Sequence, residues 1–539
     1  MSSQQSNMFL RLVRDRWKVL LLGSIILGQG LFGLLVGILL FYRGGIYFLD
    51  AGYYIYTLAS ENFGQQPPAI GNSWGSSLYA THMLLTPLLI SQVFRVVASA
   101  PLNFIMFLGV QHLILATAGA LLMMVSFSLN GVRREKLLIP GMVGALLLPF
   151  SNIGLGSLLY PHVELIGTSL IAIGILTLAL YWSGHNRRWL VAIATIAIVL
   201  GLLSREDIGV HLIITVGSAL ICSQWKRLGR SGLVRAGTLL LAGVLFTGAL
   251  MAYQRIFADS HGVFALTYSG TPAYAHITSV WYLLDRVLFL LASRLDLIIG
   301  VSAFVVAAIV LRKREFLAFP VAVAPWLILN LTAIDPAKNA MGIYHLFPII
   351  LYATAPVLAL VLTKPEKQNP DSVARGHVPM YATYGIAVVS LFLGGVSMPP
   401  TGGGYLFTSV LRLPLISPAG INATNLAIEN FAKLDIGKAV DDSVMAIRPV
   451  DLQNVPLIPT VQDPSSISAI MFYPRYLLGH AGVRKLFNSW IAENRKISMM
   501  CLPGGLVRVD AAEIQAEPTL QTADGQLEKA LKCHPLPSK

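Results

Sequence analysis

Long apolar runs separated by short polar connections dominate the chain up to Pro399, and within each run the apolarity is continuous rather than one-sided. A helix needs about 20 apolar residues to cross the hydrocarbon of a bilayer, and a helix apolar on every face is covered on every face. The pattern predicts about eleven spans, at 19–42, 102–129, 137–156, 164–182, 189–204, 208–224, 236–253, 287–311, 316–333, 345–363 and 379–397. The fold class is therefore an all-α polytopic membrane protein. The first long connection, 43–101, is not hydrophilic. Segments 53–63 and 83–97, rich in Tyr and Leu, read as amphipathic helices at the membrane interface. Between them Pro67, Pro68, Gly71 and Gly75 form a breaker-rich turn. A second long connection, 254–284, is aromatic.

After Pro399 the pattern changes to short alternating segments. A helix is predicted near 422–434, a strand near 443–447, a strand near 467–473 and a helix near 483–494. A strand pair at 497–501 and 506–509 is turned by Pro503-Gly504-Gly505. The expected organisation is a membrane body over 1–363, a linker over 364–378, a last span over 379–398 and a small α/β domain over 399–539.

Composition sharpens this picture. Only 12% of the 539 residues are charged, against roughly 25% in soluble domains, and mean hydropathy is +0.67. The net charge of +13 is a topology signal. Basic residues cluster at Arg11/Arg14/Arg16/Lys18, Arg133/Arg134/Lys136, Arg187/Arg188, Lys226/Arg227/Arg230/Arg235, Arg312/Lys313/Arg314 and Lys364/Lys367/Arg375, on every second connection. Cytoplasmic loops carry such an excess. The N-terminus is then cytoplasmic, the protein sits in the inner (plasma) membrane, and the C-terminal domain is extracytoplasmic. No basic face on a folded domain points to nucleic acid; the partners expected are membrane lipids, with anionic headgroups near the basic clusters. The 19–42 run is longer than a signal-peptide core and lacks a clear cleavage site, so it reads as a retained span. The extracytoplasmic side permits a Cys501–Cys533 disulfide in the tail, the alternative being two free thiols.

The same topology sends a second set of residues to the outer face. Asp50 follows the first span in an aromatic interfacial setting. Partial desolvation there raises a carboxyl toward the range useful to a general base, and a helix-capping role is the plainer alternative. Ser204-Arg205-Glu206-Asp207 occupies the tight turn of an apolar hairpin. Three consecutive charges at membrane level face a wet cavity or pair with one another, and the planar fork of Arg205 suits phosphate. His162-Val163-Glu164 offers two ligands for a divalent metal, or a proton shuttle. Two ligands do not define a metal site, so the metal is left open. His82 and His345 are individually weak signals, raised by their placement on the same face. His112 and His211 lie inside spans and read as packing or hydrogen-bonding residues.

At these residues the chain resembles an uncharacterised family of prokaryotic polytopic membrane proteins grouped with the GT-C superfamily of lipid-phosphosugar-dependent glycosyltransferases. Phe48-Leu49-Asp50-Ala51-Gly52 resembles that family's Phe-Asp-Leu-Gly segment, and Thr81-His82-Met83 through Pro87 its Asp-His-Phe-Ser-Pro segment. His162-Val163-Glu164 resembles its His-Pro-Glu, Arg205-Glu206-Asp207 its Lys-Glu-Asp, and Tyr344-His345 its late His-Tyr segment. Thr81 stands where the family has an acid, and Pro161 precedes His162 instead of following it. The resemblance covers roughly 45–350. It implies a GT-C-like fold, a catalytic acid in the first outer loop, a polyprenyl-phosphate sugar donor and an outward active site.

The expected function is transfer of a sugar from a polyprenyl-phosphate carrier to an acceptor hydroxyl of a glycan, lipid or protein in cell-envelope assembly. Asp50 is the expected base and Arg205 the expected donor-phosphate ligand. Glu164, Glu206 and Asp207 orient groups or hold a metal. His82, His162 and His345 donate hydrogen bonds, and Tyr53 with its loop lines the lipid and sugar. The rival readings are a transporter or flippase of lipid-linked glycans, and a non-catalytic envelope-assembly subunit acting through the tail.

Overall fold

The computed structural model describes residues 3–42, 82–96, 100–128, 134–159, 163–183, 187–225, 228–257, 279–293, 295–332, 346–363, 469–472, 481–501, 507–511, 514–515 and 522–532. The apolar runs among them are helices. In chain order they are α1 (Ser3–Tyr42), α2 (Leu85–Arg95), α3 (Ala100–Ser128), α4 (Arg134–Phe150), α5 (Asn152–Leu159) and α6 (Glu164–Trp182). Then come α7 (Arg188–Leu202), α8 (Ile208–Cys222), α9 (Arg230–Phe257), α10 (Val280–Ser293), α11 (Leu295–Leu311), α12 (Ala318–Thr332), α13 (Leu346–Tyr352) and α14 (Ala355–Leu362). Four stretches are long and apolar enough to cross a membrane: Trp17–Leu39, Ile105–Ser128, Glu164–Trp182 and Arg230–Ile256. Lys136–Phe150, Arg188–Leu202, Ile208–Cys222, Leu297–Leu311 and Phe347–Leu362 are shorter apolar helices.

Expected helix ends and observed ones agree closely for 164–182, and within a few residues for 102–129, 189–204, 208–224 and 316–333. Two expected spans are interrupted among the described residues. The run expected at 137–156 breaks at Ser151, just after Pro149, and the run expected at 345–363 breaks at Ala353–Thr354, just before Pro356. Proline cannot donate to the helical ladder. At both breaks a hydroxyl takes up a carbonyl: Ser151 Oγ donates to Leu148 O at 2.5 Å, and Thr354 Oγ1 to Leu351 O at 2.7 Å. That local repair is what makes a break tolerable at membrane depth. The run expected at 287–311 is helical on both sides of position 294, which lies outside the described residues. The first helix also begins earlier than expected, so Arg11, Arg14, Arg16 and Lys18 ride on the cytoplasmic-expected end of α1.

The body is held by close helix packing. α1 lies against α3 and α4, α3 against α4 and α6, and α6 against α7 and α13; α8 packs on α9, α12 and α14. Where α3 meets α4 the backbones nearly touch: a Cβ on Gly119 would lie 2.7 Å from the Gly144 carbonyl oxygen. Small residues permit such approach, which supplies the packing that drives helix association in lipid. The buried core draws Leu115, Leu122, Leu165, Ile171, Leu212, Val216, Phe304, Phe319, Leu351 and Leu358 from across these helices. The outer faces are apolar too. Leu27, Leu31 and Leu35 on α1, and Leu241 and Leu245 on α9, are exposed. In water this would be an aggregation surface; against lipid tails it has its solvent.

In the tail, β1 (Ala469–Phe472), β2 (Ser498–Cys501) and β3 (Val507–Asp510) form an antiparallel sheet in the order β1-β3-β2. The expected hairpin is present, with Cys501 paired to Val507 and Ser498 to Asp510. Val507 and Val509 point into a core with Leu486, Phe487 and Trp490 of α15 (Ala481–Ala492). Ala523, Leu527 and Ala530 of α16 (Ala523–Lys532) complete it. The helix α16 was not anticipated. Its start is marked by Thr522, whose hydroxyl accepts the Gly525 N–H at 3.1 Å, a capping contact. The elements expected at 53–63, 379–397, 422–434 and 443–447 lie outside the described residues.

Cys501 is disulfide-bonded and Cys222, buried in α8, is free; position 533, the expected partner, lies outside the described residues. A bond between 501 and 533 closes a loop of roughly thirty residues, which on the chain-entropy estimate stabilises by about 3 kcal/mol. Thiol titration of the unreduced, denatured protein is expected to find one thiol per chain, and reduction to release the rest of the three cysteines. Three thiols before reduction would remove the bond.

Candidate functional site

The α7–α8 hairpin closes in five residues, Leu203 to Asp207. Ser204 Oγ donates to Leu200 O at 2.9 Å, and Val210 N–H to Asp207 O at 2.9 Å, so the turn is tied into both helices. Beneath it, α6 meets α7 at two glycines. A Cβ on Gly167 would lie 2.9 Å from Ser204 Cβ and 3.1 Å from Gly201 O, and one on Gly201 would lie 2.8 Å from Gly167 O. This contact brings Glu164, one turn above Gly167, alongside Arg205, one turn beyond Gly201.

Arg205 is the hub. Its Nη1 pairs with Glu164 Oε1, and its Nε lies 3.2 Å from Asp207 Oδ1 and 3.8 Å from Glu206 Oε1. Glu206 turns the other way. Its Oε1 is 3.0 Å from His82 Nδ1, and its Oε2 accepts the Met83 backbone N–H at 3.0 Å. The segment before α2 is therefore clamped onto the hairpin. Thr86 strengthens the clamp: its N–H donates to Leu203 O at 3.1 Å and its Oγ1 to Leu200 O at 2.6 Å. Glu164, Arg205, Glu206 and Asp207 are all buried, as is His82. Three carboxylates face one guanidinium, so the cluster carries excess negative charge even with His82 protonated.

Burial alone would push the Glu206 carboxyl up. The His82 ring, through its charge and its hydrogen bond, the Arg205 guanidinium and the Met83 amide outweigh it and hold the group at about 2, below its ordinary 4.5. A carboxyl depressed on folding contributes stability above its unfolded value, and that stability is lost as pH falls through the folded one. Thermal stability in detergent is expected to decline as pH drops from about 4.5 toward 2, with a shallower decline in Glu206→Gln. Parallel profiles for the two proteins would show that Glu206 is not held ionised.

Of the residues singled out in the sequence, His82, Glu164, Arg205, Glu206 and Asp207 are described, and all five meet in this one cluster. Asp50, Tyr53, His162 and His345 lie outside the described residues. Among the described residues no three His, Cys, Asp or Glu are grouped to hold a metal ion. Beneath the cluster is a contact that no local signal announced. His211 Nδ1 lies 2.8 Å from the Tyr352 hydroxyl, both buried, with Asp207 one helical turn above His211. His112 sits elsewhere, stacked on Phe32 with ring centroids 5.9 Å apart.

No family model, no curated protein and no solved structure matches this chain. The chemistry must be read from the cluster itself: a desolvated, net-acidic group of side chains joined from three separated segments at one end of apolar helices.

Proposed function

We propose that this chain is an integral membrane glycosyltransferase of GT-C-like architecture. On this reading about eleven spans place the cluster on the outer face, opposite Arg187, Arg188, Arg230 and Arg312–Arg314, with the tail extracytoplasmic. A polyprenyl-phosphate-linked sugar is the donor and an envelope hydroxyl the acceptor. The observation that carries the reading is the convergence of His82, Glu164, Arg205, Glu206 and Asp207 in one buried ionic cluster. Ionisable groups at membrane depth are costly and mark functional sites. Excess negative charge suits the oxocarbenium-like transition state of glycosyl transfer. Asp50 takes the acceptor proton. Arg205 meets the donor phosphate by exchanging a carboxylate contact for a phosphate one, so that Glu164 or Asp207 is released as the donor binds. His162, His345 and Tyr53 complete the sugar and lipid contacts.

Purified protein in proteoliposomes, offered polyprenyl-phosphate sugars and an outer-face acceptor, is expected to form a glycosidic bond and free the lipid phosphate. A second reading, a flippase of lipid-linked glycans, draws on the two interrupted runs, α4/α5 and α13/α14, since broken spans line the pathways of many transporters. Movement of intact lipid-linked sugar between leaflets, with no bond cleaved, would favour it and overturn the first.

A further inference from the structure

Asp207 stands apart from the other two acids of the cluster. Glu206 is engaged by the His82 ring and the Met83 amide, and Glu164 by Arg205. Asp207 Oδ1 lies near Arg205 Nε but receives no hydrogen bond among the described residues, although the atom is buried. A buried carboxylate oxygen without a donor is a costly state that a ligand hydroxyl relieves.

The membrane side of Asp207 is built up in an ordered way. His211 follows it by four residues on α8, on the same face. Tyr352 is the last residue of α13, where the expected span breaks, and its hydroxyl reaches His211 Nδ1 at 2.8 Å. The other end of α13 is tied to α6, because Thr168 Oγ1 donates to Phe347 O at 2.6 Å. Thus α6, which supplies Glu164, also anchors the helix that supplies Tyr352. The charge of Asp207 acts on both the ring and the phenol.

We propose that His211 and Tyr352 are positioning residues of the outer site, a hydrogen-bonded pair that fixes Asp207 from the membrane side so that its Oδ1 meets a sugar hydroxyl. With Tyr352 donating to Nδ1, the ring proton sits on Nε2, on the face of α8 that carries Asp207 one turn above. The hydrogen bond at one ring nitrogen thus sets the role of the other. The charged groups that act on the pair are Asp207 and Arg205 from the turn. The sugar hydroxyl as ligand rests on the glycosyltransferase reading; the pair's hold on Asp207 does not.

The test uses the full-length protein with ¹³C-labelled aspartate. Its infrared carboxylate band for Asp207 is assigned by its loss in Asp207→Asn. Tyr352→Phe is expected to shift that band and to lower kcat about tenfold with donor KM unchanged. A glutamine amide superposes on Nε2 and an asparagine amide on Nδ1, so His211→Gln is expected to keep more of the wild-type band and rate than His211→Asn. Thr215→Val, which removes only a hydroxyl bonded to the His211 carbonyl at 2.7 Å, is expected to leave both unchanged. An Asp207 band unmoved in Tyr352→Phe and His211→Asn overturns the proposal, whether or not those variants lose stability. If wild-type protein transfers no sugar but the band moves, the glycosyltransferase reading fails and the pair's positioning role stands.

Discussion

Arg205→Ala is expected to destabilise the membrane body by about 3–5 kcal/mol and to remove use of the lipid-phosphate donor. Removing one partner of a buried ion pair leaves the other charge uncompensated, which is the costly case. Here Glu164 and Asp207 both lose their cation, and the carboxylate excess grows. Lys at 205 restores a point charge but not the planar fork. It is therefore expected to recover most of the stability and only part of the donor use. Thermal unfolding in detergent and donor KM read the two effects separately. If neither moved, Arg205 would be an ordinary turn residue.

Asp50→Asn is expected to reduce transfer by about 10²–10⁴-fold, the usual contribution of a general base, while expression and membrane insertion stay as in wild type. The substitution keeps size and shape and removes only the proton-accepting charge. Since Asn caps helices about as well as Asp, a capping role at position 50 predicts no loss. Activity within a few-fold of wild type would take Asp50 out of the chemistry.

The membrane body was legible because bilayer spanning imposes length and composition together, so apolar runs such as 164–182 mark their own ends. The clustering of the residues around Arg205 was legible by an indirect route. The alternation of basic clusters predicts two faces, and charges expected on the face without them need a reason to be there. That reasoning picked out His82, Glu164, Arg205, Glu206 and Asp207, which lie far apart in sequence and meet in space.

What stayed hidden has physical causes. Hydropathy averages over a window, so it does not register the breaks at Ser151 and at Ala353–Thr354, although Pro149 and Pro356 stand beside them. The His211–Tyr352 contact joins positions 141 residues apart, and neither neighbourhood carries a sign of the other. The sharing of Arg205 among three carboxylates is likewise tertiary; the sequence pattern showed charges but not how they divide. The α16 helix is ten residues long, with Gly525 in its first turn and an apolar stripe reduced to Ala523, Leu527 and Ala530, too faint to stand out from a loop.

The most direct measurement is a structure of the protein with a polyprenyl-phosphate sugar bound. The glycosyltransferase reading predicts the phosphate within about 3 Å of the Arg205 guanidinium, the distance of a charge-assisted hydrogen bond, with the Glu164 or Asp207 contact to Arg205 opened and the anomeric carbon facing Asp50. A phosphate lodged instead between the interrupted runs α4/α5 and α13/α14, with the Arg205 cluster closed as in the unliganded protein, would contradict it.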